Sequence, residues 1–222
     1  MQRIYGLMFL LCVAVSGRAQ QEIRTVFVNM PDSVLPMLTK VNRADCIDFL
    51  DCNMKAEVRN RMGGHSEMTG LTDDWLTMKL TSQSSVEIKL LPLSDSLQLV
   101  AMIHTVCGKA CDSRIRFYST AWEPLSTEKF FASWPESHDF LPDTISSVAE
   151  DTLGELWSDF RKKADICLLT ASFSPEQPLL YFEYATPEYM DSEDAMKLRP
   201  LLKNNRICYE WKAGRFVRRV EQ

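Results

Sequence analysis

One run, residues 97–106 (LQLVAMIHTV), limits the folds open to this chain more than any other stretch. It is apolar at both alternating parities, and side chains in a strand point alternately to opposite faces. Such a strand has to be covered on both sides, which suits the centre of a sheet rather than its wet surface. Its neighbours alternate instead. Leu76, Met78 and Leu80 interleave with Thr77, Lys79 and Thr81, and Val86, Ile88 and Leu90 interleave with Glu87 and Lys89. With Gln83-Ser84-Ser85 between them, these two runs predict a hairpin with one wet face. Residues 113–119 alternate again, Ile115 and Phe117 against Arg114, Arg116 and Tyr118. Sequential strands joined by short turns describe an antiparallel meander.

Around the meander the period is helical or mixed. Residues 24–28 are expected to be extended. Pro31 suits a first helical turn, followed by Leu35, Leu38 and Val41 at helical spacing. Asn42 can cap a second short helix with Ile47, Phe49 and Leu50 on its apolar side. Later, 126–134 and 143–164 are predicted as helices, the second with Ile145, Val148, Leu153, Leu156, Trp157 and Phe160 on one broad face. Residues 166–173 and 179–184 flank the turn Ser174-Pro175-Glu176-Gln177-Pro178, a helix runs from Asp191 through Leu202, and 206–211 and 215–220 close the chain around Lys212-Ala213-Gly214. The expected class is α+β: a mainly antiparallel sheet of eight or more strands with helices packed on one face. The mature chain is expected to form a single domain, residues 20–222. Its halves, 20–125 and 126–222, both run helix then strands, which hints at a duplicated unit.

The first nineteen residues have a different logic. Arg3 is followed by an apolar stretch from Leu7 to Val15, then by Gly17 and Ala19 at −3 and −1 of a cut before Gln20. That is the pattern of a secretory signal peptide cleaved after Ala19. The stretch is far shorter than the ~20 residues of a membrane span. No later segment is long and apolar enough, so no transmembrane segment is expected in the mature chain. The expected location is the periplasm or beyond.

Charge narrows the partners. The chain carries 25 Lys and Arg against 30 Asp and Glu, a net of −5, and loss of Arg3 and Arg18 with the signal makes it more acidic. Such a chain lacks the field that gathers phosphates, so nucleic acid is a poor partner. The basic run at 212–219 is expected to be the solvated face of a last hairpin.

Six cysteines remain once Cys12 leaves with the signal: Cys46, Cys52, Cys107, Cys111, Cys167 and Cys208. Six can pair in 15 ways. With 45% hydrophobic residues, the chain can form a core without a dense disulfide scaffold. Cys46 and Cys52 share the predicted second helix, about 120° and ~9 Å apart, so they cannot bond each other there. Cys107 and Cys111 lie at opposed strand ends around Gly108-Lys109-Ala110, within disulfide reach. In an exported protein they read as a turn clamp; the alternatives are unpaired thiols or a redox dithiol. The pairing of the other four stays open.

Three stretches carry a resemblance: 30–64, 73–92 (DDWLTMKLTSQSSVEIKLLP) and 104–125 (HTVCGKACDSRIRFYSTAWEPL). They resemble a family of exported proteins of about 200 residues, of unknown function, from Gram-negative gut anaerobes. The resemblance implies export and no activity, and it transfers no functional residue.

The residues themselves offer little chemistry. His65, His104 and His138 lie far apart, and no cysteine pair has the C-x₂-C spacing of a zinc site, so neither metal nor cofactor is expected. Ser137-His138-Asp139 holds triad letters, but adjacent residues cannot converge as a triad does. The acidic groups at Asp73-Asp74, Glu150-Asp151 and 191–194 suit turns and helix starts. Were a catalytic pair to assemble, it would join His104 to Asp73 or Asp74. Among the aromatics, Tyr181 and Phe182 must face opposite sides of a strand, so one is core; Tyr184, Tyr189, Trp122 and Trp134 are the other candidates for recognition. The function expected is an exported, non-catalytic binding protein of the cell envelope whose partner is an unidentified protein or apolar ligand. The alternative is a periplasmic carrier that encloses a lipid, for which the methionine content and the apolar 97–106 run are the motive.

Overall fold

The hairpins are where the sequence pattern says they are, and among the described residues eleven strands follow. The computed structural model describes residues 22–141 and 166–219; the proposed signal segment and the helix expected at 143–164 lie outside them. In chain order the strands are β1 Glu57–Arg59, β2 His65–Leu71, β3 Trp75–Thr81, β4 Ser84–Ser94, β5 Leu97–Cys107, β6 Cys111–Ser119 and β7 Pro124–Leu125. Then come β8 Leu169–Phe173, β9 Leu179–Tyr184, β10 Arg206–Lys212 and β11 Arg215–Arg218. Every ladder between these strands is antiparallel, and an isolated parallel bridge joins Phe131 to Phe216. They form two sheets rather than one, a seven-stranded meander β1 to β7 and a four-stranded sheet ordered β11-β10-β9-β8. The class is α+β and mainly antiparallel.

β5 explains why two sheets are needed. Val100 and Met102 face one core, with Val86, Ile88 and Leu90 of β4 and Leu76, Met78 and Leu80 of β3. Leu99, Ala101 and Ile103 face a second core, with Phe182, Tyr209 and Phe216 of the smaller sheet. The first core is closed by two helices, α1 Ile23–Val28 and α2 Lys40–Asp51. The meander is thus the middle of three layers.

The first helix replaces the extended segment expected at 24–28. Ile23, Val26 and Phe27 are buried, and that i, i+3, i+4 spacing gives a short helix one apolar stripe. Six residues are too few to hold a helix in water, so the sheet beneath α1 holds it. The next expectation is also revised. The stretch after Met30 turns irregularly, and the helix begins only at Lys40, after a capping box. The Asn42 N–H donates to Thr39 Oγ1 and the Thr39 N–H to Asn42 Oδ1, both at 3.1 Å. Thr39 is therefore the N-cap, and Asn42 is its reciprocal partner.

The predicted helix at 126–134 is reduced to one short turn, Thr127–Lys129. Beyond it the chain extends along β11. The Phe216 N–H donates to Phe130 O at 2.7 Å, and the Ala132 N–H to Phe216 O at 3.3 Å. Phe131 packs against Phe182, Tyr209 and Phe216. Burial of two adjacent phenylalanines in an aromatic cluster outweighs a weak helical preference. Two short helices, α3 Ser137–Phe140 and α4 Thr186–Tyr189, a longer one, α5 Ser192–Leu198, and the 3₁₀ turn Arg199–Leu201 that follows it complete the described elements.

The wet face expected on the β3–β4 hairpin is wet only in part. Lys79 is exposed, but Lys89 is 1% exposed. Its ammonium donates to Asp74 Oδ1 and to Pro175 O, each at 3.2 Å. Glu87 lies on the same face and accepts the Phe173 N–H at 2.9 Å and the Trp75 indole N–H at 3.4 Å. Trp75 in turn crowds Gly70, where a Cβ would come within 2.6 Å of the ring; only glycine leaves room for it. The cause is the smaller sheet. β8 is its edge, and edge N–H groups need partners. Those of Leu169, Ala171 and Phe173 donate to Asp112 Oδ1 (3.2 Å), Ser113 Oγ (2.9 Å) and Glu87 Oε2 (2.9 Å). Side chains of the meander thus take the place of a missing strand.

A pH dependence follows. Burial, partly offset by the Phe173 and Trp75 donors, raises the Glu87 carboxyl above its ordinary 4.5. The native state then holds that proton more tightly than the unfolded chain. The associated stability is complete below about 4.5 and is lost as pH rises through the raised value. Glu87→Gln keeps an acceptor and cannot ionise, so it should gain stability relative to wild type at pH 7 but not at pH 4. Glu87→Ala orphans the Phe173 N–H and should cost about 1–3 kcal/mol. Urea unfolding at both pH values checks this; an equal Gln-minus-wild-type difference at pH 4 and 7 would refute the titration.

Candidate functional site

The helical layer covers only part of the meander, and a cleft of about 340 Å³ opens where it stops. One wall is the irregular segment 34–37. Beneath it, Leu80 of β3 and Met102 of β5 join Leu35 and Met37 in an apolar floor. Beyond the wall, the same face of β5 and β6 carries His104, Arg114 and Arg116, with Asp112 and Val106 at the far end.

The wall is held from below. Arg43 of α2 is 1% exposed; its guanidinium donates to Leu38 O at 2.7 Å, to Met30 O and to Asp32. Asp32 also takes Arg61 at 2.6 Å, and the Arg61 N–H donates to Met37 O at 3.0 Å. A buried cation that satisfies carbonyls on both sides of a turn positions that turn without regular structure.

The rim is set by register. His104 stands opposite Arg114, and Met102 opposite Arg116. Directly opposed side chains on one sheet face start about 5 Å apart, and those two residues along a strand about 7 Å. Arg114 and Arg116 are exposed and, among the described residues, neither forms an ion pair or side-chain hydrogen bond. Partial burial, with the Arg116 guanidinium nearby, holds His104 below its ordinary 6.5, so the imidazole is neutral at pH 7. Among the described residues Asp112 is the one carboxylate lining the cleft, and its Oδ1 is engaged by the Leu169 N–H. Among the described residues no hydroxyl, thiol or lysine lines it. The arrangement offers a cationic rim over an apolar floor.

The pair of His104 with Asp73 or Asp74 does not assemble. Asp74 holds Lys89 on the opposite face of the meander, and Asp73 is exposed at the β2–β3 turn. His65 is exposed at the start of β2, and His138 sits beside Glu136 and Asp139 at 3.3 and 3.9 Å. Among the described residues no three potential metal ligands come together. Trp122 is core: its ring packs tilted against Tyr118 and its indole N–H donates to Val26 O at 2.9 Å. Phe182 and Tyr184 are buried, while Tyr181 lies under Arg206, 3.6 Å from guanidinium carbon to ring centre. Trp134 is partly exposed against Phe131 and Phe182, and Tyr189 is exposed near Lys109. Asp191 occupies the N-cap position of α5 without a side-chain capping bond.

Cys107 and Cys111 form a disulfide across the β5–β6 turn, with Cα atoms 3.9 Å apart. It closes the strand pair that carries His104 and Arg114. Cys46, Cys52 and Cys167 are free thiols. Burial pushes the Cys46 thiol up to about 11, so it is not a nucleophile at neutral pH.

Closing a five-residue ring should be worth about 2 kcal/mol in the unfolded-chain entropy account. Cys107→Ser with Cys111→Ser is expected to lower Tm by roughly 4–8 °C. Peptide mapping of unreduced protein should recover the two linked. Alkylation of both in native, oxidised protein would contradict the clamp.

Comparison with known proteins adds fold and family. No curated protein matches the chain. A solved domain of an uncharacterized protein from Porphyromonas gingivalis W83 is similar at 26% identity, with a TM-score of 0.75 over 91% of this chain and 100% of that one. Residues 15–216 match the family described as "Protein of unknown function (DUF3256)", and the chain belongs to that family.

Proposed function

We propose that the protein is an exported, non-catalytic binding protein of the cell envelope, with the cleft between segment 34–37 and strands β5 and β6 as its binding site. The observation that carries this reading is the cleft's lining. About 340 Å³ with an apolar floor and two unpaired guanidinium groups suits retention of a ligand. Among the described residues the lining holds no side chain that would attack one, and His104 has no carboxylate bonded to it to orient it. Enclosure of a wholly apolar molecule is the weaker reading, because the cleft opens beside exposed arginines. Export is supported by the pattern of the first nineteen residues and by a disulfide, which persists in oxidising compartments.

Two measurements test this. N-terminal sequencing of protein from fractionated host cells should begin at Gln20 or Gln21 in an extracytoplasmic fraction; an intact Met1 in the cytosol would overturn export. Native mass spectrometry of the same material should show a bound small molecule or partner that denaturation releases unchanged. Protein that carries nothing, and that binds no member of a mixed panel of anionic, neutral and cationic small molecules, would overturn the binding reading.

A further inference from the structure

The cleft's charge and shape together select a ligand class, an inference that rests on the binding reading and sharpens it. The rim holds two guanidinium groups and one carboxylate, Arg114, Arg116 and Asp112, a formal surplus of one positive charge. The imidazole of His104 adds no charge at neutral pH, since it titrates below 6.5. A monoanion complements that surplus; a dianion would face Asp112 with charge to spare. Arginines two residues apart on one strand face present donors from both sides of a gap of about 7 Å, which suits one carboxylate held by two forks. The floor below them, Leu35, Leu80 and Met102, offers no polar side chain. At about 30 Å³ per heavy atom, the share a water takes in the liquid, such a volume holds roughly eleven heavy atoms.

We propose that the cleft binds a medium-chain amphiphilic monocarboxylate, its carboxylate between Arg114 and Arg116 and its apolar chain along Leu35, Leu80 and Met102. Met37 and Met102 in the floor adapt to chains of differing shape, so head-group charge, rather than chain identity, dominates selection. A retained electrostatic contact with exposed arginines also makes the affinity fall as salt rises.

Titration calorimetry on the mature chain tests this with four probes: octanoate, octanol, acetate and inorganic phosphate. Octanoate is expected to bind with Kd below about 1 mM, octanol about tenfold more weakly or worse, and acetate and phosphate without saturation. Arg114→Gln with Arg116→Gln should weaken octanoate about tenfold and bring it level with octanol. Both arginines are exposed and unpaired, so the variant is expected to keep the wild-type circular dichroism and Tm, which are measured alongside. Octanol equal to octanoate in the wild type would overturn the proposal in favour of an apolar carrier, and saturable phosphate in favour of an inorganic anion site. Octanoate binding untouched by the double substitution would place it elsewhere on the molecule. Each of these outcomes leaves the binding reading standing; failure of all four probes removes the monocarboxylate alone, because the binding reading is judged by the retained-ligand and mixed-panel experiments.

Discussion

The smaller sheet depends on hydrogen bonds that a sheet does not normally need. Its edge strand β8 has three backbone N–H groups pointing away from β9, and Asp112, Ser113 and Glu87 of the meander accept them. The opposite edge, β11, is covered by the extended backbone at Phe130 and Ala132. Neither edge of the four-stranded sheet is left as a template for another chain. This forces the two sheets together in one register, since Ser113 and Glu87 sit on different strands and must reach alternate residues of β8. Ser113 is itself fixed by Thr105 Oγ1 at 2.8 Å, so the acceptor row is part of the meander's own ladder.

From that docking the rest follows. With the smaller sheet over Leu99, Ala101 and Ile103, the other face of β5 still exposes Val100 and Met102, and it is there that α1 and α2 pack. These helices are too short to cover the whole face. Their layer ends at β5 and β6 beyond Met102, and the uncovered strip holds His104, Arg114 and Arg116. The cleft is the boundary between a covered and an uncovered part of one sheet face.

Much of this was legible from periodicity. The two-sided burial of β5, the alternation of β3, β4 and β6, the hairpin around 174–178 and the turn clamp at Cys107 and Cys111 all rest on local pattern, and local pattern determines them. The misreadings have a common cause. Residues 24–28 are rich in β-formers, yet packing Ile23, Val26 and Phe27 on a sheet makes a helix. Phe130 and Phe131 look helical until an edge strand needs a neighbour. Glu87 and Lys89 are charged, so alternation assigns them to water; nothing in a period of two says that another sheet will land on them and use their polarity. Arg114 and Arg116 show the converse. They too read as a wet strand face, and they are wet, but only the irregular segment 34–37 turns that face into a cleft, and irregular segments have no period to detect.

Arg43 links these levels. In sequence it is one more charge on an amphipathic helix. In the fold it is buried, with Leu38 O, Met30 O and Asp32 as acceptors, and its Nε has no partner. A buried guanidinium short of a partner is costly, and the same packing free energy would be available to a leucine or methionine. What an apolar residue cannot do is donate to two carbonyls of the chain on both sides of 31–37. Without those bonds the segment would have to satisfy its carbonyls in water, away from the sheet, and the wall over Leu80 and Met102 would go with it. The polar anchor under the first core therefore trades stability for the shape of the site: the N-terminal layer is held close enough to β3 and β5 to make a floor, and is stopped short enough to leave the arginines of β6 open.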